Sequence, residues 1–263
     1  MKTIVMKIGG SLLEELPEAF YKACAELSAN GIRPVIVHGG GPDINRMLEL
    51  KQTPVTFHDG LRVSTGDVLE TAEMVLSGMA NKKIVSSLEK EGAQAFGFSG
   101  KDGGTFRCSL KNEELGFVGT IDRVDTSILE FLLQKQIIPV LSPISSNGEG
   151  VTYNVNADEA ASAAAAALHA DVLFISDIPG VMNMSADEPA LIPELTEAQA
   201  EQLIAEGVIY GGMIPKVRAA VESLNAGCEK AAILNGHKPE SLLHYLEGKK
   251  CGTVFLKEET SHV

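Results

Sequence analysis

Short aliphatic and β-branched runs recur along the chain, and amphipathic stretches separate them. Ile4-Val5-Met6 and its flanks predict a buried strand over residues 3–8, stopped by Gly9 and Gly10. Leu13, Phe20, Ala23 and Leu27 recur on one face of a helix over 12–30, which Gly31 ends. A second strand, 32–37, runs into His38-Gly39-Gly40-Gly41-Pro42, and a helix follows from about 43 to 50. Residues 55–63 read as a hairpin turning at Asp59-Gly60, with Arg62 on its return arm. A helix over 65–79 carries Val68, Leu69, Ala72, Val75, Leu76 and Met79 on one broad face, and helix continues over 81–90. A strand over 93–98 ends in another glycine loop, 99–104. Residues 105–124 have the polar alternation of a hairpin at the sheet edge.

The pattern then continues as a helix over 126–134 and a strand over 137–141. Asn154-Val155-Asn156-Ala157-Asp158 opens an alanine-dense helix to about 169, a composition that strongly favours helix. A strand over 172–176 is broken by Asp177-Ile178-Pro179-Gly180. Thr196 and Gln199 form a capping box for a helix over 196–206. Gly211-Gly212-Met213-Ile214-Pro215-Lys216 precedes a helix ending near 227, and Pro215 suits its first turn. A strand over 231–234, a short helix over 239–245 and a strand over 252–256 complete the order. Strands alternating with helices predict an α/β fold: a central, mainly parallel sheet between two helical layers, an αβα sandwich. The Pro-Gly loop after Ser176 marks a lobe boundary, giving lobes 1–176 and 177–263.

Charge narrows the partners. The chain has 263 residues and a formal net charge of −13, which argues against nucleic acid or an anionic membrane surface. A small anionic substrate is not excluded, because a few lysines in a cleft can focus a local positive field. The four cysteines, Cys24, Cys108, Cys228 and Cys251, are far apart and contain no CxxC pair, so neither a disulfide framework nor a zinc site is expected. There is no secretory leader pattern and no run apolar enough to span a bilayer, so the expected location is the cytoplasm.

The candidate chemistry sits at the glycine loops. Lys7 and Lys216 lie beside two of them, at opposite ends of the chain, and Asp158 sits in the first turn of a helix. Bare N–H groups at strand ends and helix starts suit a polyanion. Neither GxGxxG nor the Walker sequence occurs, so neither a dinucleotide fold nor a P-loop is indicated. No Ser, Cys or His constellation supports a nucleophile. His38 reads as a packed or hydrogen-bonded loop residue. Phosphoryl transfer needs only positioning and positive charge around the migrating group, and this set can provide both. Each residue also has a plain structural reading: Asp158 as a complement to the helix dipole, Lys216 as a solvated helix residue, Arg62 as an exposed cross-strand partner. The joint occurrence carries the functional reading.

Together KIGGS at 7–11, VHGGGP at 37–42, GLRV at 60–63, NVNAD at 154–158 and GGMIPK at 211–216 resemble the acetylglutamate kinases of the amino acid kinase family. The resemblance spans nearly the whole chain in order. It implies the amino acid kinase fold, and phosphorylation of the side-chain carboxylate of N-acetyl-L-glutamate by ATP with Mg²⁺ in arginine synthesis. It implies that Lys7 and Lys216 neutralise the migrating phosphoryl group, that Asp158 holds both lysines, and that Gly10 and Gly40 donate N–H groups to it. Gly40, Gly41, Arg62 and Asn154 would contact acetylglutamate, and the 55–63 hairpin would be a lid. The nucleotide would lie on the C-terminal lobe against Asp177, Gly180, Val181, Met182, Val208, Ile209, Tyr210 and Gly211. Arginine-inhibited relatives carry an extra N-terminal helix; with the first strand starting at Thr3, an arginine-insensitive homodimer is expected. The apolar face of 65–79 is either its interface or ordinary core. A sister kinase for N-acetyl-aminoadipate or another amino acid, or a non-catalytic sensor, are the competing expectations.

Overall fold

The computed structural model describes residues 2–183 and 189–257. Its first elements are β1 (Thr3–Ile8), α1 (Glu18–Ala29), β2 (Arg33–His38) and α2 (Gly41–Leu50). The hairpin β3 (Phe57–His58) and β4 (Leu61–Arg62) follows, then α3 (Gly66–Glu73), a π-helical segment (Met74–Ala80) and α4 (Asn81–Lys90). Next come β5 (Ala95–Ser99), β6 (Phe106–Leu110), β7 (Gly119–Val124), α5 (Ser127–Gln134), β8 (Ile138–Ser142), β9 (Ile144–Ser146), β10 (Thr152–Asn154) and α6 (Ala157–Ala167). The chain continues through β11 (Asp171–Ser176), β12 (Met182–Asn183), β13 (Ala190–Leu191), β14 (Glu194–Thr196), α7 (Glu197–Ala205) and α8 (Met213–Asn225). β15 (Ala231–Asn235), α9 (Glu240–Leu246) and β16 (Thr253–Leu256) close it.

The main sheet has eight strands in the order β14-β16-β15-β11-β1-β2-β8-β5. All neighbours are parallel except β15 and β16. The two-residue period of β1 divides its side chains between two cores. Val5 joins Val172 and Phe174 of β11 under α5, α6, α7 and α8; Ile4, Met6 and Ile8 pack under α1, α4 and α9. These are the three layers of the expected sandwich. The sheet runs unbroken across residue 176, because β11 pairs with β1 on one side and β15 on the other.

Three expectations change, and one left open is narrowed. The helix over 12–30 begins only at Glu18: turns fill 11–15, and Pro17 is extended (φ −67°, ψ 150°). A proline pushes the residue before it out of helical conformation, so Leu16 cannot continue a helix. The 105–124 hairpin is not on the edge of the main sheet. β6 and β7 belong to a separate four-stranded sheet, order β10-β9-β6-β7. The helix over 65–90 is interrupted by the π segment, which re-phases its faces. Finally, Val68, Ala72, Val75 and Leu76 are buried against Ile44 and Leu48 of α2 and Ile144, so most of the 65–79 apolar face is core. Met74 and Met79, with Phe96 of the edge strand β5, remain about half exposed (49%, 48% and 50%).

Candidate active site

β1 and β2 are adjacent and parallel, so their glycine loops emerge side by side at one sheet edge. Gly39 N donates to the Ile8 carbonyl at 2.9 Å, which stitches the two loops together. Their approach leaves no room for a side chain. A Cβ on Gly10 would stand 2.6 Å from both Gly40 N and Gly41 N, and one on Gly40 would stand 2.7 Å from Leu76 Cδ2 of the π segment. Gly41 and Pro42 open α2, whose first N–H groups have no intrahelical partner. The result is a set of backbone donors at the positive end of a helix dipole.

Asn156 caps α6. Its Oδ1 accepts from the N–H groups of Asp158 (2.8 Å) and Glu159 (3.2 Å), a role the sequence reading had not given it. The cap fixes the first turn of α6 over β1, where Asp158 Oδ1 meets Lys7 Nζ at 2.9 Å. Four fully buried alanines, Ala160, Ala161, Ala164 and Ala165, allow that close packing. Lys7 follows Val5, and Ser176 follows Phe174, on the same sheet face of neighbouring strands. Lys216, in the first turn of α8, reaches this edge: its Nζ donates to Ser176 Oγ at 2.7 Å and lies 3.3 Å from Asp177 Oδ1. The two ammonium groups therefore gather at the ends of β1 and β11. Their carboxylates differ from the expectation. Asp158 pairs with Lys7, whereas Lys216 pairs with Ser176 and Asp177. Burial raises the Asp177 carboxyl, but the Ser176 hydroxyl and then the Lys216 ammonium outweigh it and hold the group below the usual range.

Two cavities flank this edge. The larger, about 470 Å³, is lined by Asp177 through Met182, by Val208, Ile209 and Tyr210, and by Gly212, Met213 and Lys216. Of the expected nucleotide contacts, Gly211 is not among its walls; it supplies the left-handed turn (φ 57°) that starts α8 beside it. The smaller, about 200 Å³, is lined by Gly39–Gly41, Phe57, Leu61, Arg62, Leu76, Val118, Asn154 and Ala157, among others. Arg62 is half-buried there. Its Nη2 donates to the Gly41 carbonyl at 3.3 Å, and its guanidinium lies 4.8 Å from the Phe57 ring centre. Its Nη1 is buried with no hydrogen-bond partner among the described residues. Such an orphaned charged donor is costly unless a ligand completes it. Burial also pushes the Arg62 pKa down, though a guanidinium stays charged. Asn154 Nδ2 donates to Ser64 Oγ at 3.2 Å, so Ser64, which sequence reading missed, sets the amide's direction. The hairpin over this cavity turns at Asp59 and Gly60, both with positive φ (49° and 78°), as a two-residue turn requires.

The arrangement offers two lysines, clustered backbone donors and an unsatisfied guanidinium between two cavities. Among the described residues no group of three or more His, Cys, Asp or Glu could hold a metal ion. Comparison with known proteins gives the same direction. The profile of the Amino acid kinase family matches residues 2–235. The chain is 44% identical to "Acetylglutamate kinase" of Oceanobacillus iheyensis over 265 residues, covering both chains fully. It is 48% identical to that of Bacillus velezensis, covering 89% of this chain and 90% of the relative. Among solved structures, smu.665 from Streptococcus mutans UA159 superposes with a TM-score of 0.80 at 28% identity, covering 97% of this chain and 98% of its own. The chain is a kinase and belongs to the amino acid kinase family.

Proposed function

We propose that this kinase transfers the γ-phosphoryl group of MgATP to the side-chain carboxylate of N-acetyl-L-glutamate, forming the 5-phosphate in arginine biosynthesis. The orphaned Arg62 Nη1, buried in a small cavity beside the glycine loops, is the observation that carries this reading. An arginine fork completes its hydrogen bonds on a carboxylate, and the α-carboxylate of an acylated amino acid supplies one. Asn154 and the Gly40-Gly41 backbone then take the remaining polar groups. The larger cavity suits a nucleotide, with apolar walls for a base and Lys216 at the phosphate end. Mg²⁺ characteristically rides on nucleotide phosphates with few protein ligands, so it enters with ATP.

In this reading residues 1–176 form the acceptor lobe and 177–263 the nucleotide lobe. Lys7, held by Asp158, and Lys216 flank the migrating group, and the N–H groups of Gly10 and Gly40 point at its oxygens. An ammonium about 4 Å from a phosphoryl oxygen is worth about 4 kcal/mol at an effective dielectric near 20. Bridging from Ser176 and Asp177 to the phosphoryl group, Lys216 exchanges one anion for another. The enzyme acts in the cytoplasm as a homodimer. Met74, Met79 and Phe96 supply the surface for that pairing, since the rest of the 65–79 face is interior. An ADP-release assay with N-acetylglutamate, glutamate, aspartate and N-acetyl-aminoadipate tests the substrate. Preference for N-acetylglutamate is expected; preference for another acid would overturn it. A light-scattering mass of one chain would remove the dimer.

A further inference from the structure

Behind the 39–41 loop lies a buried polar cluster that none of the roles above uses. His38 ends β2 and Asn81 opens α4, and both are fully buried. Lys82 Nζ, which can only donate, lies 3.0 Å from Asn81 Oδ1 and 2.6 Å from the Gly97 carbonyl oxygen. That contact orients the Asn81 amide. Its Nδ2 donates to the Val140 carbonyl at 2.9 Å and faces His38 Nε2 at 3.2 Å. An amide NH₂ has no lone pair to offer, so Nε2 must accept and carries no proton. The ring proton is therefore on Nδ1, which donates to the Gly39 carbonyl at 3.0 Å. The Gly39 carbonyl belongs to the same peptide unit as the Gly40 N–H. A hydrogen bond accepted at that oxygen polarises the unit and makes its N–H a stronger donor.

We propose that His38 and Asn81 are positioning residues for phosphoryl transfer: Asn81 keeps the proton on His38 Nδ1, and that N–H orients and polarises the Gly39–Gly40 peptide, whose own N–H serves the migrating group. The inference rests on the reading that Gly40 is such a donor. Neither side chain touches substrate. Burial, and to a lesser degree the Lys82 charge, push His38 down to about 4, against the Gly39 hydrogen bond. The ring is thus neutral under working conditions. Protonating it would set a second ring N–H against the Asn81 NH₂ group.

Three variants separate positioning from mere packing. His38→Asn keeps an N–H donor near the place of Nδ1. His38→Gln places its amide near Nε2 instead and loses the donor to Gly39. Asn81→Asp offers an acceptor to Nε2 and so draws the proton away from Nδ1. His38→Asn should retain kcat within about threefold of the unaltered enzyme. His38→Gln and Asn81→Asp should lose about 10- to 100-fold in kcat with the half-saturating ATP concentration unchanged. If losses in all three simply follow thermal stability, the residues are structural and the proposal fails. Should the variants not fold, ring ¹⁵N spectroscopy of the unaltered protein decides: an Nδ1–H ring for His38 at pH 7 supports the proposal, and an Nε2–H ring or an imidazolium overturns it. The substrate reading fails separately, if the unaltered enzyme leaves N-acetylglutamate untouched; the variants are then compared on whichever acid it phosphorylates.

Discussion

Adding one methyl group at Gly10 tests the core of the geometry. The new Cβ would lie 2.6 Å from Gly40 N and Gly41 N and 2.7 Å from Gly40 Cα, and ordinary contact begins at 3.4 Å. The atoms in the way are backbone, so they cannot rotate aside. The loops must part by about 0.8 Å, and a misplacement near 1 Å costs roughly 10²-fold in rate. Overpacking of this kind costs about 1–3 kcal/mol in stability, a fall of a few degrees in Tm for a chain this long. Gly40→Ala clashes only with the Leu76 methyl at 2.7 Å, the end of a flexible side chain, and should lose less. Gly9→Ala meets nothing nearer than Lys7 Nζ at 4.0 Å and should keep most activity. The measurement is steady-state ADP release at saturating substrates, paired with thermal unfolding. A folded Gly10→Ala enzyme with more than half the normal turnover would refute the reasoning, because the two loops would then not depend on each other's position.

Lys7→Ala and Lys216→Ala should each reduce kcat by about 10²–10³-fold. Lys216 is 41% exposed, so its loss should barely move Tm; Lys7 is 17% exposed and its loss unpairs Asp158, so Tm should fall somewhat, but far less than turnover. Matched losses of turnover and Tm would make the lysines structural. Arg62→Ala removes a charged hydrogen-bonding partner worth about 1.5–3 kcal/mol, so the half-saturating acceptor concentration should rise roughly 10- to 100-fold while that for ATP stays constant. The reverse pattern would place the acceptor elsewhere. His38 makes stability acid-sensitive: its pKa falls from 6.5 to about 4 on folding, so the unfolded chain binds the extra proton. Its contribution is complete above pH 6.5 and is lost as pH falls toward 4, by at most roughly 3 kcal/mol. Urea unfolding between pH 7 and 4 should show a shallower decline for His38→Asn; parallel curves would contradict it.

Where the physics is local, the sequence was a good guide. Asp59-Gly60 turns as expected because few other pairs accept two positive φ values. Thr196 and Gln199 form both hydrogen bonds of the capping box. The alanine run of α6 is a helix because no other residue loses so little on becoming one. The Gly10 and Gly39–Gly41 loops lie side by side because parallel neighbours β1 and β2 carry them to one edge. What escaped depends on distant partners. β9 and β10 have three residues each and pair with each other and, through β9, with β6, about 40 positions earlier in the chain, so their pattern is too short to read. The π segment carries Leu76 against Gly40, a long-range fit that no local propensity encodes. Lys216 meets Asp177 rather than Asp158 because its partners Ser176 and Asp177 lie at the C-terminal end of β11, a strand whose neighbours only the topology reveals. Ser176, a polar residue closing the apolar run 172–175, was the available hint. Asn81, a buried amide in an otherwise charged and apolar helix start, was another.

The unbroken sheet also limits how the molecule can move. No slack linker separates the strand bearing Lys7 from the strand bearing Ser176; ladder hydrogen bonds join them along their length. A swinging gate would tear that ladder, whereas a gradual twist or a glide of packed helices would not. α8 rests on α6 through small side chains and the buried Ser162–Ser223 contact at 2.6 Å, a smooth bearing with little to unlock. Any travel of Lys216 toward the other lysine would accordingly be a slide of one helix along another, on a rail of alanine and serine.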